Sequence, residues 1–264
     1  MIAELFRQEA LKLFSQRYPW LLLAVLAALQ TARTLVAALQ PPATALDLVS
    51  APQAWADGMG WALRLLVFVV LVVGAMGFSH EFSLGTAKTL LVLPLRRGQW
   101  FAAKLLSVVA LAWAVLLACA LLGAVLVAFT TGWGDVVRAG VVMHPAASYW
   151  RELLGALALT AVFLLPLAAF ALLVGLHFSS SGAAVGVAVL LGTVLESGAG
   201  LLDAGRYLFI FHLHRPLELV AKLGKGLAYR WEPELSLGLP VTLASFAVLA
   251  LWGWLRLERM DVTG

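Results

Sequence analysis

The chain has 264 residues, 62% of them hydrophobic and 12% charged, with a formal net charge of +4 and a mean hydropathy of +0.96. Soluble domains carry about 45–50% apolar and about 25% charged residues, so this composition excludes a water-soluble fold and makes lipid the solvent of most of the surface. The basic residues lie between apolar runs, as in the loops of membrane proteins, which sets nucleic acid aside despite a pI near 9.5.

In chain order, residues 1–18 read as an amphipathic helix. Ile2, Leu5, Phe6, Leu13 and Phe14 share one face, with Glu4, Arg7, Gln8, Lys12 and Gln16 mostly elsewhere. Such a helix lies in the plane of the interface; the alternative is that it extends the first span. Glu4 and Glu9 interrupt this segment, so it does not read as a signal peptide. A crossing needs about 20 apolar residues, and six segments qualify: 20–39, 61–78, 105–129, 153–176, 183–202 and 235–255. The fourth and fifth are separated by a turn signature, His177-Phe-Ser-Ser-Ser-Gly182, inside a stretch without Asp, Glu, Lys or Arg. Trp and Tyr residues flank the spans, as expected of interfacial anchors; Trp113 lies inside the third, where a helix–helix contact would explain it.

Between the last two spans, Tyr207–Leu213 is too apolar for a plain loop and too short to cross. Pro216 is then placed to open a helix over 217–228, since proline suits a first helical turn, with Leu217, Val220, Leu223 and Leu227 as its apolar side. With both termini cytoplasmic, Lys and Arg divide nine inside to nine outside, but seven to two up to Lys104, and the early spans usually dominate topology. The expected setting is a prokaryotic cytoplasmic (inner) membrane, both termini inside. The prokaryotic part rests on composition alone, a chain without Asn and with only Ile2 and Ile210 as isoleucines.

Catalytic signatures are not apparent. The Walker A phosphate loop has no match, and Leu223-Gly-Lys-Gly226 lacks its Ser/Thr. Cys119 stands alone and forms no intrachain disulfide or thiolate metal site. His177, His212 and His214 fall at mismatched depths for bis-histidine haem, so they read as interfacial histidines facing water or headgroups. Arg33, Arg64 and Glu196 lie within reach of an interface. Buried Asp/Glu/His relays, the mark of ion-driven transport, are not evident, which fits a machine whose energy arrives from elsewhere.

The informative segment is the loop between spans two and three, Glu81-Phe-Ser-Leu-Gly85-Thr86-Ala-Lys88-Thr-Leu90-Leu91-Val-Leu-Pro94-Leu-Arg96-Arg97, re-entering the membrane at Lys104. Thr86 is placed to cap a short helix through Leu91, which Pro94 ends by pushing its predecessor out of helical geometry. This loop resembles the first cytoplasmic loop of ABC-2-type transporter permeases. Glu81, Gly85, Thr86, Leu90/Leu91, Pro94, Arg96 or Arg97, and Lys104 match that pattern in order. The tail Leu255-Arg-Leu-Glu-Arg259-Met-Asp261-Val262 is similar to the family's ending, with Leu257 where an aromatic is common and Glu258-Arg259-Met260 for the basic pair.

The resemblance implies one transmembrane domain over 1–264, an all-α membrane protein. It would have six transmembrane helices, an N-terminal amphipathic interfacial helix, a cytoplasmic coupling helix within 81–104 and short outer-side helices between spans five and six. It further implies the permease subunit of an ATP-driven exporter that is not itself an enzyme and carries no cofactor. ATP and Mg would sit on a separate ABC ATPase subunit, and a second permease copy or related chain would complete the assembly in the membrane lipids. Glu81 and Arg96/Arg97 would make polar contacts to the ATPase, Leu90 and Leu91 apolar ones. Two other readings stand beside it, a non-exporting scaffold driven by an ABC ATPase and an intramembrane enzyme.

Overall fold

Hydrocarbon offers the backbone no hydrogen-bond partner, so an apolar chain satisfies its N–H and C=O groups within helices. The computed structural model describes residues 2–15, 17–39, 49–85, 97–138, 140–201 and 203–260, and they are overwhelmingly helical. Five stretches are long and apolar enough to cross a bilayer: Ala51–Ser83, Arg97–Thr130, Ala146–Gly175, Ser181–Leu201 and Glu234–Arg259. A bent N-terminal pair makes a sixth if counted as one span. The chain is a helical, multi-pass membrane protein.

Helix α1 (Ile2–Ser15) and α2 (Arg17–Leu39) meet at a 63° bend. The Trp20 indole donates to the Phe14 carbonyl at 2.8 Å across that corner, so α1 does not simply continue α2. Its partly covered face is Leu5, Phe6, Glu9, Ala10 and Leu13, an i, i+4, i+8 stripe that packs on the bundle.

Two long helices form the spine, α3 (Ala51–Ser83) and α4 (Arg97–Thr130). At 1.5 Å per residue each is about 50 Å long, well beyond the roughly 30 Å of hydrocarbon. The helices therefore extend beyond the segments 61–78 and 105–129 read as the crossings. Ser50-Ala-Pro52 opens α3 ten residues before Trp61, with Pro52 in its first turn. The polar Gln53 and Asp57 do not end the helix because protein, not lipid, covers its first turns. Ser50 Oγ donates to the Gly224 carbonyl at 2.6 Å.

The third crossing stretch is two helices, α5 (Ala146–Phe163) and α6 (Leu165–Gly175). Pro166, which lacks an N–H for the helical ladder, sits at the break. The stretch starts at Ala146 rather than 153, after a β-hairpin that the sequence reading did not foresee: β1 (Val136–Arg138) antiparallel to β2 (Val141–His144), turning at Gly140 with φ +79°. Asp135 Oδ1 accepts the Ala146 N–H at 2.7 Å and so fixes the entry of α5. Trp113 donates to the Ala161 carbonyl at 2.8 Å, the helix–helix contact expected for a tryptophan at mid-span.

After the turn at 176–180 come α7 (Ser181–Leu201), a 3-10 turn (Asp203–Tyr207), α8 (Phe209–His212), α9 (Arg215–Gly224), a π turn (Glu234–Gly238) and α10 (Leu239–Arg259). Short helices between the last two spans match the expectation, with a correction. The helix expected over 217–228 runs Arg215–Gly224. Leu217, Val220 and Leu223 are buried while Leu227, beyond its end, is exposed.

α3 is the hub, touching α2, α4, α6, α7 and α9. Its tightest neighbour is α6. A Cβ on Gly74 would lie 2.5 Å from Ala171 Cβ, and one on Gly175 would lie 2.4 Å from the Ala75 carbonyl oxygen. Helices in lipid gain from packing rather than from expelling water, and small residues four apart let backbones close; Ala171 and Gly175 serve that purpose here.

Candidate functional site

The face of the bundle that carries both ends of the described chain holds a compact charge cluster. Glu81 lies in the last turn of α3 and Lys104 in the second turn of α4. Their side chains are each 3% exposed and meet at 2.8 Å. Two residues of α1 extend the pair: Lys12 Nζ reaches the same Glu81 oxygen at 2.5 Å, and Glu9 accepts from Lys104 at 3.1 Å. The order Lys12–Glu81–Lys104–Glu9 alternates in sign and sums to zero charge.

Two aromatic rings complete the surroundings of Lys104. Its ammonium lies 5.3 Å from the centre of Phe78 and 5.6 Å from that of Trp100, and the two rings meet edge to face at 5.0 Å. A buried ion pair persists only when further polar or π partners offset the loss of water, and each buried charge here has one. Burial on its own pulls the Lys12 ammonium below its ordinary pKa, but the hydrogen bond and charge of Glu81, with Glu9 beyond, outweigh it and hold Lys12 above. Beneath α1 a cavity of about 290 Å³ opens between α3 and α4, with this cluster in its wall.

The segment joining Glu81 to Lys104 is thus clamped at both ends. Gly85, with φ +70°, terminates α3 in a left-handed conformation that suits glycine. Arg97 opens α4 and donates to the Glu258 carbonyl at 3.1 Å and the Met260 carbonyl at 2.6 Å, satisfying the unpaired end of α10. Next to it, a Cβ on Gly98 would fall 2.1 Å from the Trp254 indole nitrogen, so α10 rests directly on the start of α4.

Of the nine residues marked by the sequence, Glu81 and Lys104 come together, Gly85 ends a helix and Arg97 secures another. Glu81 and Arg97, for which the resemblance implies contacts to a partner, are engaged within the chain. Thr86, Leu90, Leu91, Pro94 and Arg96, and with them the expected coupling helix, lie outside the described residues. Glu9 and Lys12 escaped the sequence reading of the site. Their signal is the position of Glu9 within the apolar stripe of α1, a carboxylate where a residue packs against the bundle.

A second cluster sits at the opposite face. His212, expected to face water or headgroups, is instead buried at 2% exposure. Its Nδ1 lies 2.7 Å from Glu234 Oε2 and its Nε2 lies 2.8 Å from the Arg206 carbonyl. A carbonyl only accepts, so Nε2 carries a proton, and Nδ1 shares a second with the carboxylate. Burial lowers the pKa of His212, while the bonds to Glu234 and the Arg206 carbonyl and the charge of Glu234 raise it, against Arg215; the balance is a raised pKa. Glycine at 238 leaves room for the approach, since a Cβ there would sit 2.7 Å from both Glu234 Oε2 and His212 Nδ1. A buried acid–histidine pair is therefore present where none was read. His214 Nε2, close by, lies 3.3 Å from Glu196. Among the described residues, no three His, Cys, Asp or Glu side chains converge as a metal site would require.

Residues 23–263 match the family described as a protein of unknown function (DUF2705), and this coverage places the chain in that family. No curated protein matches it.

Proposed function

We propose that this DUF2705 member is the membrane subunit of an ATP-driven ABC exporter, moved by a separate ATPase through the 81–104 loop. The observation that carries the reading is the clamp. Glu81 and Lys104 bind each other at 2.8 Å at the two ends of the loop, and Lys12 and Glu9 bind the same pair from α1. A push on the loop is therefore delivered to α1, α3 and α4 together, and through Arg97 to the end of α10. Rigid elements joined by buried polar contacts are the means by which a local displacement becomes a movement of whole helices. Glu81 and Lys104 act as positioning residues in this scheme. The surface offered to the ATPase is Leu90, Leu91 and Arg96, with ATP and Mg on the partner.

Pairing with a second copy follows from the resemblance to ABC-2-type permeases. The setting is a prokaryotic inner membrane with both chain ends on the cytoplasmic side. The test replaces Leu90 and Leu91 by Ser in the full chain co-expressed with its ATPase. Expected is loss of ATPase association with helical content unchanged. Retained association and unaltered ATP turnover overturn the reading.

A further inference from the structure

On the face opposite the charge clamp, a cavity of about 560 Å³ lies between the 203–230 segment and the start of the last span. Four cations line it, Arg206, Arg215, Lys222 and Arg230, against two carboxylates, Glu218 and Glu234. The carboxylates are already engaged, Glu234 by His212 at 2.7 Å and Glu218 by Arg215 at 3.3 Å. Among the described residues, Arg206, Lys222 and Arg230 take part in no ion pair, so the cavity carries a net surplus of positive charge.

Two of the four cations, Arg206 and Arg215, are held by ring contacts, and α9 sets the position of Lys222. Arg215, Glu218 and Lys222 follow at spacings of three and four along α9, which puts them on one face. The opposite face, Leu217, Val220 and Leu223, is buried in the bundle. The Arg215 guanidinium stacks 4.4 Å from the centre of Phe211, and that of Arg206 lies 5.1 Å from the centre of Tyr207. The Arg206 backbone is fixed in turn by its carbonyl's bond to His212. Guanidinium groups present a planar fork that matches phosphate oxygens and are the least strongly hydrated of protein cations.

We propose that this cavity binds a phosphate-bearing anion, held chiefly by Arg206, Arg215, Lys222 and Arg230. The phosphate belongs either to a lipid headgroup in the adjacent leaflet or to a soluble phosphate; the recognising chemistry is the same. The site stands independently of the ATPase reading, because it uses none of the 81–104 loop.

The test uses the full chain in nanodiscs of phosphatidylcholine doped with phosphatidylglycerol, with lipid retention read by native mass spectrometry. Inorganic phosphate binding is read separately on detergent-solubilised protein. Removing two cations in Arg215→Gln/Arg230→Gln is expected to weaken binding by about tenfold, and Glu218→Gln to strengthen it severalfold, as exposed charge–charge terms of this size allow. Strengthening cannot arise from misfolding, so the second variant guards the first. Retained phosphatidylglycerol that obeys this pattern assigns the site to a lipid headgroup. Phosphate binding that obeys it without lipid retention assigns it to a soluble ligand. Absence of both, or binding insensitive to both variants, overturns the proposal.

Discussion

Removing Lys104 from the clamp tests the structural half of the account. In Lys104→Met, Glu81 stays buried at 3% exposure and keeps its ion pair to Lys12, itself 47% exposed. Breaking a buried pair from one side costs about 3–5 kcal/mol, and the surviving Lys12 contact argues for the lower end, about 3 kcal/mol, or roughly a hundredfold in the folding equilibrium. Replacing both members with neutral side chains, Glu81→Gln/Lys104→Met, removes the two most deeply buried charges and leaves the more exposed Lys12 and Glu9 to pair with each other or with water; such double replacements are often close to neutral. The double variant is thus expected within about 1 kcal/mol of the parent, with a coupling energy near the upper part of the usual ~0.5–3 kcal/mol range for residues in contact. Lys12→Met, on a half-exposed partner, costs only about 0.2–1 kcal/mol. The assay is reversible unfolding in mixed micelles by titration with sodium dodecyl sulfate, followed by tryptophan fluorescence. Single variants that cost no more than Lys12→Met, or a double variant no better than the worse single, refute the reasoning. If the double variant folds well yet no longer transmits ATP turnover, the clamp serves coupling rather than stability.

Gly175→Ala drives a Cβ to 2.4 Å from the Ala75 carbonyl, where backbone has to shift. The same titration is expected to show a loss of about 1–3 kcal/mol, the usual cost of overpacking. Arg97→Gln weakens the bonds to Glu258 and Met260. Hydrogen exchange in the last turn of α10 is expected to accelerate by about fivefold, the equivalent of roughly 1 kcal/mol; unchanged protection refutes the cap. For His212, the raised pKa means that its pairing with Glu234 contributes stability in full below the ordinary value of 6.5 and loses it as pH rises through the higher folded value. The thermal midpoint in detergent is expected to fall over that alkaline window, and Glu234→Gln to remove most of the fall. A slope identical in both proteins contradicts the assignment.

Much of the architecture was legible because hydropathy is a strong signal in lipid. The turn at His177–Gly182 and the short helices before the last span follow from charge-free length and from Pro216. The errors have one cause: hydropathy reports contact with lipid, not with protein. Gln53 and Asp57 lower the hydropathy ahead of Trp61, yet α9 covers the head of α3 and Ser50 ties the two together. The hairpin 136–144 has strands of only three and four residues, too short to leave a legible alternation. At the site, Glu81 and Lys104 were visible as a motif, but their contact depends on two helices that are far apart in sequence until the loop between them brings them side by side. Glu9 and Lys12 were assigned to a membrane-facing helix, and only the fold shows that one side of it faces the bundle. His212 and Glu234 were missed because they lie 22 residues apart and no periodic pattern links them.

The central claim is that residues 81–104 receive the force of an ATPase. It is tested most directly by placing a thiol cross-linker at Leu90→Cys in the full chain, whose native Cys119 is buried, within the complex purified from the host membrane. The expected result is a cross-link to a nucleotide-binding subunit whose yield changes when ATP replaces the nucleotide-free state. A complex that contains no ATP-hydrolysing chain, or a cross-link yield from Leu90→Cys that is indifferent to nucleotide, contradicts the account.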